Sequence, residues 1–193
     1  MQKHRHFLIH KPFGYLTQFV YNETKRKKNR KLLGMLGDFP DGTMAIGRLD
    51  KNSEGLLLLT TDGKMSHKVR SKSVEKEYYI EVDGEITDDA IQQLQNGVTI
   101  TVDKAPYPTL PCKAFRIATP PIYDPPEKLR NRRKHRPTSW VSITISEGKN
   151  RQVRKMSAAV GFPTLRLIRM RIGGIHLNNL LAGEVVEVED FAL

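Results

Sequence analysis

Most apolar runs along the chain read as strands. Tyr78, Ile80 and Val82 alternate with Tyr79, Glu81 and Asp83, the spacing of a strand with one buried face, and Gly84 ends it. Val141, Ile143 and Ile145 alternate with Ser142, Thr144 and Ser146 in the same way. Residues 7–10 form a short strand that stops at Lys11-Pro12, where proline removes a donor, and Phe13-Gly14-Tyr15 makes a turn. The run Leu56-Leu57-Leu58-Leu59, bounded by Gly55 and Asp62-Gly63, reads as a strand buried on both faces, although four residues do not distinguish it from a helix segment. The Asp-Gly pair favours a turn. Over residues 165–172, Leu165, Leu167, Arg169 and Arg171 share one side, with Arg166, Ile168, Met170 and Ile172 on the other, so that one face changes from apolar to cationic along its length. Gly173-Gly174 then turns the chain, and residues 184–188 form a final edge strand.

Two segments have helical spacing instead. Thr87 is an N-cap for residues 88–96, with Asp88 and Asp89 in the first turn, Ile86 and Ile91 as a hydrophobic staple, and Gly97 beyond the last turn. Ala90, Ile91 and Leu94 mark its buried face, and its acidic start answers the helix dipole rather than catalysis. After Glu147-Gly148 a second helix covers about residues 151–160, closed by Gly161 and Pro163. Val153, Met156 and Val160 share its apolar face, whereas Arg151, Arg154 and Lys155 lie on another and, with no acidic residue on the helix, are expected to need an anion nearby.

Charge changes this picture of a small α+β chain. The 193 residues include 32 Lys and Arg against 21 Asp and Glu, a net charge of +11 that favours a polyanionic partner, nucleic acid first. Six of the seven residues 25–31 are cations that repel one another unless an anion holds them. Residues 105–137 carry eight prolines, which break regular structure and imply a long surface excursion; it holds Lys128, Arg130, Arg132, Arg133, Lys134 and Arg136. The 38% hydrophobic content supports a proper core, and no apolar run is long enough to span a bilayer. The short apolar start at residues 7–10 is no secretory signal, which points to the cytoplasm. Cys112 is the one cysteine and reads as a small packed residue. The histidines lack metal-ligand spacing, and Gly34-Met35-Leu36-Gly37 lacks the Lys-Ser/Thr of a phosphate-binding loop.

Several motifs in order carry a family resemblance over nearly the whole chain. They are His10-Lys11-Pro12; the run from Gly47-Arg48-Leu49-Asp50 through Ser53-Glu54-Gly55 to Thr60; Lys76-Glu77-Tyr78; Glu147-Gly148-Lys149-Asn150-Arg151-Gln152-Val153-Arg154-Lys155-Met156; and Arg171-Ile172-Gly173-Gly174-Ile175. Together they resemble the RNA pseudouridine synthases, particularly the RsuA and RluB/E/F branch. Arg136-Pro137-Thr138-Ser139-Trp140 is most similar to the E subgroup, which modifies a large-subunit rRNA uridine.

The resemblance implies an α+β pseudouridine synthase fold, a mixed and mainly antiparallel sheet forming a single catalytic domain of two lobes with an RNA cleft between them. It implies Asp50 as the catalytic carboxylate, Arg154 as its basic partner, and Tyr78 as the aromatic that stacks on the displaced base; Tyr79 should lie on the opposite strand face. Arg48 corresponds to the arginine that enters the RNA helix where the nucleotide leaves. Neither cofactor nor metal is expected. Lys11, Arg151 and Lys155 join Arg48 as expected RNA contacts. The loop cations Lys25, Arg26, Lys27, Lys28, Arg132 and Arg133 are expected to replace the affinity of an S4 domain, which many members carry at the start and this chain is expected to lack. The expected substrate is large-subunit rRNA, free or in an assembling ribosomal particle, for a monomeric enzyme. The competing reading is a non-catalytic RNA-binding or ribosome-assembly protein on the same fold.

Overall fold

A computed structural model describes residues 3–20, 30–70, 74–118 and 137–191. The chain forms two compact units, one made of Met1–Val74 with Arg169–Leu193 and the other of Glu75–Ile168. The first unit is therefore discontinuous in sequence.

In the first unit, β1 (His6–Lys11) lies between β13 (Val185–Val188) and β5 (Glu54–Thr60), antiparallel to both. Every residue of β5 is buried, as the unbroken leucine run requires. β4 (Met44–Ile46) pairs antiparallel with the end of β5, Met44 opposite Thr60. Gly55, at φ +104°, takes β5 past β11 (Thr164–Ile172) so closely that a Cβ there would lie 2.4 Å from the Arg169 carbonyl oxygen. β11 turns through Gly173-Gly174 into β12 (Ile175–His176), and β13 is an edge strand with Val186 exposed. A short parallel pair, β2 (Tyr15–Leu16) with β3 (Lys31–Leu32), adds the mixed character of the sheets. Phe39 packs edge-on against Phe7 and Phe19 at 5.6 and 5.4 Å, closing this core.

The turn expected at Asp62-Gly63 is the start of a helix. In α1 (Gly63–Val69), Asp62 is the N-cap, and its Oδ1 accepts from Lys64 N at 2.8 Å. The helix buries only Ser66 and Val69, too thin a stripe to register as periodicity.

The second unit centres on β10 (Thr138–Ile145), antiparallel to both β6 (Lys76–Asp83) and β9 (Lys113–Ile117). α2 (Asp88–Asn96) forms as its caps dictate: Thr87 Oγ1 accepts from Ala90 N, Ala90, Ile91 and Leu94 turn inward, and Arg116 pairs with Asp88. With Ile80, Val82, Val141, Ile143, Val153, Met156 and Leu167 they make one apolar cluster.

Two expectations change here. β6 and β10 are not buried on one face only: Glu81, Ser142 and Thr144 are buried too, and Glu81 and Glu77 accept hydrogen bonds from the Thr138 and Ser142 hydroxyls. The proline-rich stretch also contains regular structure. β7 (Thr99–Val102) and β8 (Ala105–Pro108) form a hairpin through Asp103 and Lys104, both at positive φ as a two-residue turn demands, and Pro106 and Pro108 sit where this two-stranded ribbon tolerates a missing donor. Residues 119–136 lie outside the described residues. Cys112 is half-buried as expected, its thiol donating to the Leu94 carbonyl, and burial pushes its pKa up to about 11. Among the described residues, no helix is long and apolar enough to cross a membrane.

Candidate active site

In the first unit, Asp50 lies on the connection between β4 and β5, and that connection is tied down from two sides. The Thr17 hydroxyl donates to the Leu49 carbonyl at 2.7 Å and accepts from Leu49 N at 3.2 Å, while Gly14 N donates to the Lys51 carbonyl at 2.8 Å. Ser53 N closes a turn back on the Asp50 carbonyl at 3.0 Å. Leu49 anchors the segment in the core, Asp50 is half-buried, and Arg48 is exposed. One buried leucine thus separates an exposed cation from a half-buried carboxylate along the chain. Gly47, at φ +73°, turns the chain from β4 into this segment.

Lys11, expected among the RNA contacts, is fully buried instead. Its Nζ donates to the Ser53 carbonyl at 2.7 Å and the Pro12 carbonyl at 3.0 Å, so it fastens the end of β1 to the residues that follow Asp50. Desolvation lowers its pKa to about 7, with Glu54 and Asp50 opposing the shift and Arg169 adding to it. Glu54 and Arg169 are buried as well, and Arg169 Nε donates to the Leu56 carbonyl at 2.7 Å. A buried charged cluster behind the Asp50 segment is thus a feature that sequence reasoning missed. Its signal was available: a lysine ending a buried strand, and an arginine at the place where an apolar strand face turns cationic.

In the second unit, Tyr78 is half-buried against the apolar cluster, with Tyr79 next along β6 and therefore on the opposite face. Burial raises the Tyr79 pKa. Arg154 lies on α3 (Gln152–Ala159), where its Nη1 donates to the Thr164 carbonyl at 3.3 Å. Lys155 Nζ donates to the Thr101 carbonyl at 2.7 Å. Arg151, exposed, precedes the helix in the left-handed region at φ +55°. Such a backbone costs a non-glycine residue about 1–2 kcal/mol.

Glu147 holds that turn in place. Buried, it accepts from the Tyr107 hydroxyl at 2.6 Å, from Leu110 N at 2.9 Å and from Gln152 Nε2, while Gln152 Oε1 accepts from Lys149 N at 3.0 Å. The hydrogen bond to Glu147 raises the Tyr107 pKa, and Lys149 Nζ sits 4.7 Å from the Tyr107 ring centre. Glu147 and Gln152 thus position the cationic start of α3 rather than act on a ligand, a role legible only as part of the motif from Glu147 to Met156.

The units thus sort the expected residues, Asp50, Arg48 and Lys11 in one and Tyr78, Arg151, Arg154 and Lys155 in the other. Lys25, Arg26, Lys27, Lys28, Arg132 and Arg133 lie outside the described residues. Among the described residues, no group of three His, Cys, Asp or Glu side chains is placed to hold a metal ion.

The chain as a whole has counterparts in known proteins. The RNA pseudouridylate synthase family model matches residues 5–159. The chain is 39% identical over 183 residues to the ribosomal large subunit pseudouridine synthase E of Xanthomonas campestris pv. campestris, covering 92% of this chain and 91% of that one. It is 38% identical over 194 residues to the synthase E of Vibrio parahaemolyticus, covering 98% and 76%. A crystal structure of a pseudouridylate synthase superposes with a TM-score of 0.73 at 25% identity, covering 97% of this chain and 71% of that one. With its α+β architecture and mainly antiparallel sheets, this chain belongs to the RNA pseudouridine synthase family.

Proposed function

We propose that the protein isomerises one uridine of large-subunit ribosomal RNA to pseudouridine, with Asp50 as the catalytic carboxylate. The observation that carries this reading is the Asp50 segment: a half-buried carboxylate on a connection pinned by Thr17 and Gly14, within the motif run from Gly47 to Thr60. The substrate assignment rests on the relatives named for the large ribosomal subunit.

The reaction breaks the C1′–N1 bond, turns the freed uracil and joins its C5 to C1′; C5 loses a proton and N1 gains one, with no net redox change. Asp50 serves it either by attacking C1′ as a nucleophile or by taking a proton from C2′. Arg154 provides the guanidinium that compensates a carboxylate withdrawn from water. Tyr78 stacks on the displaced base, and its hydroxyl assists loss of the C5 proton. Arg48 fills the space vacated by the extruded nucleotide, offsetting an unstacking cost of about a few kcal/mol. The enzyme acts as a monomer in the cytoplasm, on free rRNA or on an assembling particle.

Wild type and Asp50→Asn, incubated with unmodified large-subunit rRNA and mapped by selective derivatisation and primer extension, test the assignment. A single pseudouridine made by wild type and missing with Asp50→Asn is the expected result. No modification by either, on naked rRNA and immature particles alike, sinks the substrate assignment. Modification by both removes Asp50 from the chemistry.

A further inference from the structure

The β7–β8 hairpin and the start of α3 bring cations together within the second unit. Lys155, next to Arg154 on α3, donates one of its three ammonium protons to the Thr101 carbonyl of β7 and keeps two. Lys149, exposed, lies 4.7 Å from the ring centre of Tyr107 on β8, and Glu147 fixes that ring through its hydroxyl. Lys104, also exposed, stands at the hairpin tip, separated from Thr101 by the last strand pair. The ion pairs found among the described residues involve none of these three lysines. The Glu147 carboxylate is buried and taken by three donors, which leaves Asp103 as the one exposed carboxylate of the hairpin.

Folding does not account for this arrangement. The non-glycine residues at positive φ among those described are Asp103, Lys104, Arg151 and Asn178. Asp and Asn visit the left-handed region readily, whereas a lysine or an arginine is strained there and glycine would not be. Both strained positions therefore carry a cation, and both belong to this hairpin and the helix start beside it. Lys149 and Arg151 also precede α3 at the positive end of its dipole, where a cation is disfavoured. An exposed lysine ordinarily samples many rotamers, but Lys155 is held by a carbonyl and Lys149 by an aromatic ring, so part of the ordering that binding demands is already done. Strained backbone and pre-ordered ammonium groups in one place suit an anion from outside the chain.

The helix they share with Arg154 says which anion. Arg154 and Lys155 are consecutive on α3, with Cα atoms about 3.8 Å apart. From Tyr107, under Lys149, to Lys104 is three residues, about 10 Å along a strand and about three nucleotide steps of one RNA strand. Resting on the reading that Arg154 serves a reaction on RNA, we propose that the β7–β8 hairpin docks the backbone phosphates flanking the target uridine, with Lys104 and Lys149 extending the contacts expected of Arg151 and Lys155. Counterions are released at each such contact, which adds about 0.7–0.9 to the slope of log affinity against log salt.

Lys104→Gly tests the tip without straining the fold, because glycine relieves the left-handed backbone: its thermal melt should be no lower than that of wild type. Lys104→Gly/Lys149→Gln removes the second cation, and Lys149→Arg keeps that charge. Affinity for a naked large-subunit rRNA fragment at 0.1 M salt should fall about fivefold for each lysine removed, the salt slope should become shallower by about 0.7–0.9 for each, and Lys149→Arg should bind as wild type does. The loss should appear in KM rather than kcat, and the backbone protection lost in hydroxyl-radical footprints should lie within about three nucleotides of the modified uridine. Unchanged affinity and slope overturn the proposal, as does lost protection remote from that uridine. A loss seen only with assembled ribosomal particles also overturns it and assigns the hairpin to a protein partner. If wild type modifies the RNA and the double variant binds it equally well, only the docking surface falls. If wild type makes no pseudouridine yet the variants still lose affinity for RNA, the proposed function fails and the docking surface stands.

Discussion

At the scale of single residues, the Asp50 segment depends on a lysine whose charge the fold disfavours. Lys11 is buried with a pKa of about 7, against 10.5 for a free lysine. Between those values the unfolded chain binds a proton that the folded chain lacks, so this group makes stability rise as pH increases from about 7 towards 10. Cys112 acts oppositely above pH 9: with its pKa raised to about 11, the folded thiol keeps a proton that the unfolded one gives up. Urea unfolding of wild type and Lys11→Met at pH 7, 8 and 9 isolates the lysine. Wild type should gain stability relative to Lys11→Met at each step, and parallel pH profiles would show that Lys11 stays charged in the fold. Glu147 offers a second test. Glu147→Gln turns a fully used acceptor into a group with one acceptor oxygen and two donors, at a cost of about 1–3 kcal/mol. It should also return the Tyr107 hydroxyl towards its ordinary titration range, visible as tyrosinate absorbance at lower pH.

At the scale of elements, two glycines of one motif look alike in sequence and differ in structure. Gly47 is at φ +73° with nothing within 4 Å of an added Cβ, whereas Gly55 is at φ +104° with Arg169 backbone atoms 2.4 and 2.5 Å away. Gly47→Ala should therefore cost about 1–2 kcal/mol, the left-handed penalty alone. Gly55→Ala must part β5 from β11 and should cost about 3 kcal/mol or more. Chemical denaturation of both variants checks the order, and equal losses would show that the approach of β11 relaxes freely. The same contrast explains what was legible beforehand. α2 was readable to the residue because its cap, staple and terminal glycine act within the segment itself. α1 was not, because an apolar stripe of one valine leaves no period and Asp-Gly serves a turn and an N-cap equally well. β8 was hidden by its prolines, whose tolerance depends on the single neighbour that an edge strand has, a fact of pairing rather than of composition.

At the scale of the whole molecule, charge was legible and the boundaries of the units were not. A unit assembled from residues 1–74 and 169–193 has no boundary signal in a linear scan, and the division falls inside a strand. The sequence held one trace of it: on a single face of β11, Leu167 joins the apolar cluster of the second unit, while Arg169 donates to Leu56 in the first. The motifs named Asp50, Tyr78 and Arg154, but the supports of Asp50, Thr17 and Lys11, reach it only through folding. The net charge of +11 makes the last prediction one about the entire surface. If affinity comes mainly from phosphates, kcat/KM on rRNA should fall about 100-fold between 50 and 200 mM salt for four displaced counterions, while the rate at saturating RNA stays nearly level. A polyanion such as heparin should compete with RNA, and uridine monophosphate, carrying the reacting base and almost none of the charge, should neither compete nor react. Inhibition by the mononucleotide at low concentration, or a kcat/KM indifferent to salt, would locate the binding energy in the base pocket instead and leave the cationic surface without a role in capture.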